Sequence, residues 1–201
     1  MLPFLNSGTN FLVKMNSIHC VKKKIKAIIA LSDIPEDPIH SKNTCEWVLK
    51  LDPKADESLQ IAALGHDIER AVKDRKVLRK DYKDYDQFKE AHAINSVVIL
   101  KEIMNECKLN EKMVKDISEI VRTHEVGGNK KTNLLQNADT LSFFEVNLPF
   151  YYTRNDREET KRRCFWGLKR LSPNLYHFVI ECQYKDKDIE ALVKSCIVQC
   201  N

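Results

Sequence analysis

The sequence predicts an all-α protein, a bundle of seven or eight helices in a compact domain. Three observations carry that expectation. Apolar residues recur at i, i+3, i+4 and i+7 along most of the chain, the period of an amphipathic helix. Only five glycines and six prolines occur in 201 residues, too few for a turn-dense all-β architecture. No pair of segments alternates as strands do, and no internal repeat is present.

The elements follow in chain order. Residues 1–16 read as a loose tail: MLPFLNSGTNFLVK lacks a basic leader, and Asn6-Ser7-Gly8-Thr9-Asn10 interrupts its apolar run, against a signal peptide. Ile18, Val21, Ile25, Ile28 and Ile29 then form one stripe that stops near Ser32. Asp33 to Pro38 is a proline-bracketed loop, and a helix runs from about Pro38 to Leu51, with proline suited to its first turn. Asp52-Pro53 reads as the cap and first residue of the next helix, whose apolar face is Leu59, Ala62 and Ala63 and which carries Gly65-His66-Asp67-Ile68-Glu69-Arg70. Residues 73–89, KDRKVLRKDYKDYDQFK, are expected as a solvent-exposed connection or short helix.

A further helix holds His92 and the run Val97-Val98-Ile99-Leu100. Asn110 caps the one after it, where Met113, Val114, Ile117, Ile120 and Val121 lead to His124, and Gly127-Gly128 ends it. Another starts near Asn133, with Leu134, Leu135, Ala138 and Leu141 inward and Asp139 beside them. Asp156 with Glu159 resembles a capping box before TKRRCFWGLKRL. Two closing helices are expected around 173–182 and 186–199. The division is a tail at 1–16, a metal-binding helical domain at 17–150, and C-terminal helices at 151–201 packing on that same domain.

Composition narrows the function. An apolar share of 43% with 31% charged residues excludes a disordered chain, and no apolar run approaches the ~18 residues of a membrane span. A net charge of +4 suits small anionic ligands and falls short of a nucleic-acid footprint. Seven cysteines, an odd number without a C-x-x-C pair, predict reduced thiols packed as small hydrophobes in the cytoplasm, against a disulfide framework or zinc finger. No G-x-S-x-G and no glycine-rich phosphate loop is present, which removes the serine-hydrolase, kinase and dinucleotide-dehydrogenase readings. A homo-oligomer is left open.

Four histidines, His40, His66, His92 and His124, fall on four different predicted helices, each near an apolar stripe. Asp67 adjoins the second and Asp139 follows the fourth. Helices that bury one face bring such residues together at a bundle centre. Imidazole nitrogen and carboxylate oxygen are ligands that divalent transition ions accept. Each histidine alone reads as a satisfied core or surface residue; the joint order is what points to a metal.

The segments Ile39-His40-Ser41, ALGHDIER, AHAINSVVIL, VRTHEVGG and NADTL resemble, in that order, the ligand-bearing stretches of the HD superfamily of metal-dependent phosphohydrolases, over about residues 35–145. The resemblance implies an HD-domain-like bundle with a metal site at its centre. It implies that His40, His66, Asp67 and Asp139 hold one divalent ion and that His92 and His124 hold a second, with Asp67 bridging. His66 and Asp67, neighbours ~100° apart round one helix, would serve both sites. One or two ions of Mn, Fe, Co, Ni, Mg or Zn are implied per chain.

The activity implied is hydrolysis of a small anionic phosphorylated compound, a nucleotide for preference, as a phosphomonoesterase or phosphodiesterase using metal-bound hydroxide. Asp67 and Arg70 are the catalytic residues expected. Arg70 matches the basic position of the H-D-x-x-K/R pattern, with a surface salt bridge as its alternative. Arg70, Arg154 and Arg157 are expected to bind substrate. Arg75, Lys76, Arg79, Lys80 and Lys83 read as a solvated loop rather than a lid.

The departures limit the likeness. Thr123 stands where the binuclear branch has the first histidine of its pair, and no Gly-Tyr-Pro follows Gly128, so cyclic-dinucleotide phosphodiesterase activity is not implied. Glu69 stands where the family often has glycine and is read as solvated, with a general acid or an extra carboxylate near the metals as alternatives. The same ligand order also serves HD-fold di-iron oxygenases such as myo-inositol oxygenase. A non-catalytic metal- and nucleotide-binding module is the third reading.

Overall fold

The computed structural model describes residues 7–200, with side chains from Lys14 onward. Ten α-helices occur among them, against the seven or eight expected, and no strand, as the periodicity predicts. They are α1 (Ser7–Ile29), α2 (Asp37–Leu51), α3 (Glu57–Gly65), α4 (Tyr85–Glu106), α5 (Glu111–Thr123), α6 (Lys130–Ser142), α7 (Leu148–Arg154), α8 (Arg157–Arg170), α9 (Tyr176–Ile180) and α10 (Lys187–Cys200).

The centre is made by α2, which packs on α3 and α6, and by α5, which packs on α3 and α4. Their stripes explain this. Met113, Ile117, Ile120 and Val121 of α5 and Leu135, Ala138 and Leu141 of α6 are all buried. α1 lies against α3 and α4 through Val21 and Ile25, and α8 packs on α6 while α10 packs on α8. The C-terminal helices share one continuous core with the rest.

Side-chain caps set most starts. Asn110 Oδ1 accepts from the Met113 amide at 3.0 Å, and Asn129 with Thr132 makes a full capping box that opens α6 three residues before the expected Asn133. Asp156 caps α8 by accepting from the Glu159 amide, but Glu159 turns to Arg162 and Tyr151 instead of closing a box.

Several expectations are corrected. The helix α1 already includes residues 7–16, assigned above to a tail; residues 1–6 lie outside the described residues. Asp52 does not cap α3: its amide closes the end of α2 on Val48, Ala55 turns back onto its carbonyl, and Asp56 is the cap. α3 also stops at Gly65, so the His66-Asp67 pair is at a helix end, followed by a 3-10 turn at Ile68–Ala71. The 173–182 segment divides into a 3-10 turn at Pro173–Leu175 and the short α9. A π-helical turn, Phe143–Asn147, joins α6 to α7.

Not all thiols are free. Cys20 of α1 and Cys107, the residue that ends α4, form a disulfide because the packing of these helices brings their Cα atoms to 5.7 Å. This removes the thiol argument for a reducing compartment. Among the described residues no helix is long and apolar enough to cross a membrane.

Candidate metal centre

Two helices end alike. α3 places His66 at its C-cap and α5 places His124 at its C-cap. Carbonyls in a helix's last turn lack intrahelical partners. Here the imidazoles supply them: His66 Nδ1–H donates to the Ala63 carbonyl at 2.9 Å, and His124 Nδ1–H donates to Val121 at 2.6 Å. Each contact turns Nε2 toward the bundle centre. A carboxylate follows each histidine, Asp67 in one case and Glu125 in the other.

The other ligands project from helix bodies. His40 in the first turn of α2 contacts Ser142 Oγ through Nδ1 at 2.8 Å, while that hydroxyl donates to the His40 carbonyl at 3.3 Å. Ser142 has one proton and spends it on the carbonyl, so His40 Nδ1 is the donor and Nε2 carries the lone pair. His92 of α4 donates from Nδ1 to Glu69 Oε1 at 2.6 Å, and Glu69 Oε2 accepts from the Val77 amide at 2.8 Å. All four rings therefore have Nδ1 engaged and Nε2 turned inward, the arrangement that fixes a metal-binding tautomer.

The inward atoms converge. His40 Nε2 and His66 Nε2 stand 3.2 and 3.4 Å from Asp139 Oδ1, and His92 Nε2 and His66 Nε2 stand 2.8 and 3.6 Å from Asp67 Oδ1. The rings of His40 and His66 are 5.3 Å apart by centroid, those of His66 and His124 5.2 Å. Three overlapping triads result: His40, His66 and Asp139; His66, Asp67 and His124; His92, His124 and Glu125. All six ligands named from the sequence are brought together. The grouping differs in that Asp67 joins His66 and His124, and Glu125 is added.

The residues fit a cation. His66 Nε2 and His124 Nε2 are buried with no hydrogen-bond partner. A buried acceptor without a donor costs about 1–3 kcal/mol, and a divalent ion is the electrophile that this N- and O-donor set accepts.

The electrostatics agree. Burial would raise the Asp67 and Asp139 carboxyls, but the facing histidines outweigh it and hold both well below the usual carboxylate range. Burial likewise opposes Glu125, yet Lys89, His124 and Arg170 keep it ionised. His66 is lowered by burial and raised more by Asp67 and Asp139, to about 9. Without a cation, protons balance these carboxylates.

Arg70 bridges Asp67 at 3.0 Å and Asp37 at 2.8 Å, which makes it a strut for Asp67 that also lines a small cleft of about 40 Å³ against His40 and Asp139. Glu69 is not solvated. It is buried and orients His92, so its reading as a surface side chain is corrected. Lys89, placed above in an exposed connection, is on α4 and pairs with Glu125. Arg154 pairs with Glu36 and Arg157 is exposed; neither lines the cleft. Arg163 and Arg170 of α8 do. Arg170 holds Glu125 at 2.9 Å and Asp139 at 3.4 Å. The signal for Glu125 was present: it adjoins His124 as Asp67 adjoins His66.

The family described as "Domain of unknown function (DUF4202)" matches residues 15–193, nearly the whole chain and every residue of the centre. The chain belongs to the DUF4202 family. The DUF4202 match begins within α1 and ends within α10, so the C-terminal helices are family structure rather than an appendage. No curated protein and no solved structure matches the chain.

Proposed function

We propose that this chain is a metal-dependent phosphohydrolase acting on a small phosphorylated compound, a nucleotide for preference. One observation carries the reading: four buried imidazoles, each anchored at Nδ1, turn Nε2 toward two aspartates that burial has not neutralised. His40, His66 and Asp139 would hold one cation, with Asp67, His92, His124 and Glu125 around a second. Divalent ions bound there supply Lewis-acid activation of water and offset charge on phosphate oxygens.

The chain's own groups do the rest. Arg70 clamps Asp67 from one side and His92 from the other, so the shared carboxylate keeps one orientation. Lys89 and Arg170 hold Glu125 beside His124 and keep it an anion. Of the cations in the cleft wall, Arg70, Lys89 and Arg170 are paired with carboxylates and Arg163 is not, and that one unbalanced guanidinium supports a phosphorylated substrate over a neutral one.

Elemental analysis of anaerobically purified protein, followed by a phosphatase and phosphodiesterase panel, tests the reading. One or two divalent ions per chain with phosphoester turnover that a chelator abolishes is the expected result. Asp67→Ala should lose both metal and turnover; an Asp67→Ala chain that keeps two ions would remove the bridge. Iron with dioxygen consumption and no phosphate release would move the chain to the di-iron oxygenases. Tight nucleotide binding without turnover would leave a binding module.

A further inference from the structure

The cleft beside the metal centre has four cationic side chains in its wall, and three of them are already spoken for. Arg70 is neutralised by Asp37 and Asp67, Lys89 by Glu125, and Arg170 by Glu125 and Asp139. Arg163 is the exception. Among the described residues no carboxylate lies within ion-pair distance of it, although its side chain is largely covered and its Nε is buried without a hydrogen-bond partner. Its guanidinium stacks on the Trp166 ring at 4.1 Å, with Arg170 against the same ring at 4.4 Å, and one terminal nitrogen donates to the Tyr85 hydroxyl. Stacking and a phenol hold a guanidinium in place without cancelling its charge. A partly desolvated cation without a counter-ion is costly, and an anion from outside the chain would offset it.

Arg163 and Arg170 are two turns apart on α8, so they share one face with Trp166 between them. The cleft they border, about 40 Å³, has room for about three waters or one tetrahedral anion. Lys89, Trp166 and Arg170 also border a neighbouring cavity of about 450 Å³, the size of an ordinary small-molecule site. Asp86, Glu90 and Glu125 in its wall balance Lys89, Arg122 and Arg170, so it offers no net attraction to a second anionic group.

We infer that the Arg163–Trp166–Arg170 face of α8 is an anion subsite that receives a single phosphoryl group, with the uncharged body of the ligand lying across Trp166 in the larger cavity. This deepens the phosphohydrolase reading and rests on it for the ligand's chemistry: a phosphate monoester rather than a bridging diester. Arg163 acts as a specificity residue: its hydrogen bond and its closest ring contact go to Tyr85 and Trp166, and among the described residues it makes no hydrogen bond or ion pair to a candidate metal ligand.

Titration of orthophosphate into the purified, metal-bearing chain by calorimetry tests the subsite. Wild type should bind millimolar phosphate or tighter. Arg163→Met should weaken binding at least tenfold with metal content and melting temperature unchanged. Arg163→Lys, which keeps the charge and loses the fork, should fall between, and it decides the matter if the methionine variant folds poorly. Wild-type affinity in both variants, or no phosphate binding by wild type, overturns the subsite. Turnover by wild type with an unchanged KM in Arg163→Met would sink the subsite and spare the hydrolase reading. Phosphate binding that Arg163→Met abolishes, in a chain that hydrolyses nothing, would uphold the subsite and remove the hydrolase.

Discussion

Replacing Glu69 by glutamine changes one oxygen to an amide nitrogen and tests how the centre is held. The carboxylate accepts two hydrogen bonds from opposite sides, His92 Nδ1–H at 2.6 Å and the Val77 amide at 2.8 Å, and is buried at 1% exposure. Glutamine has one acceptor. Whichever donor meets its NH2 group is left facing another donor. If the amide serves Val77, His92 must move its proton to Nε2 to accept from glutamine. The ring then offers Asp67 a proton where a cation would need a lone pair.

Loss of such an outer partner of a ligating histidine costs ~10–100-fold in metal affinity, about 1.4–2.7 kcal/mol. Fold stability should fall by about 1–3 kcal/mol as well, since in one orientation the Val77 amide loses its acceptor and in the other His92 loses its charge-assisted bond to a carboxylate. Competition for zinc or cobalt against a chromogenic chelator reads the first quantity and urea unfolding of the metal-free chain reads the second. A solvated surface glutamate would change stability by only about 0.5 kcal/mol or less. An affinity within twofold of wild type, with unaltered urea midpoint, would refute the claim that Glu69 sets the His92 tautomer.

Three further outcomes are expected. Cys107→Ser removes a cross-link between residues 87 apart, and urea unfolding without reductant should show a loss of about 2–4 kcal/mol; equal stability of variant and oxidised wild type would count against the bridge. In the metal-free chain His66 sits at about 9 against 6.5 unfolded, so its contribution of about 3 kcal/mol is full below pH 6.5 and lost as pH rises through 9. The melting temperature of chelator-treated protein should fall over that window, and a flat profile would refute the pairing with Asp67 and Asp139. Asn110→Ala deletes the cap of α5 and should cost ~1 kcal/mol in the same unfolding assay, with no loss if water replaces the side chain.

Helix stripes were legible because burial of one helix face repeats locally. Val21, Ile25 and Ile29, or Met113, Ile117 and Ile120, carry their answer within three turns. The candidate ligands were legible for another reason: a histidine order with its neighbouring residues resembled a known pattern, and these side chains lie close enough to one another that they could hold a metal ion. What escaped was non-local. Lys89 meets Glu125 and Arg170 meets Asp139 across different helices, Glu69 meets His92 out of a 3-10 turn with no apolar period, and Cys20 meets Cys107 at the far end of another helix. Charged side chains at those positions look identical to solvated ones until packing decides their neighbours.

The misplaced helix end shows why that matters for the site. Had His66 and Asp67 been in mid-helix, the Ala63 carbonyl would be bonded to the backbone amide one turn on and could not receive an imidazole proton. Because α3 stops at Gly65, that carbonyl is free to fix His66, and Asp67 leaves the helical path toward His92 and Arg70. α5 repeats the device with His124 and Glu125, ending one residue before its histidine, and Gly127 and Gly128 at φ 74° and 127° turn the chain away. The negative ends of two helix dipoles thus point at the same spot, a field that favours a cation before any ligand is counted. Two helix termini, rather than one helix face, supply His66, Asp67, His124 and Glu125 to the centre.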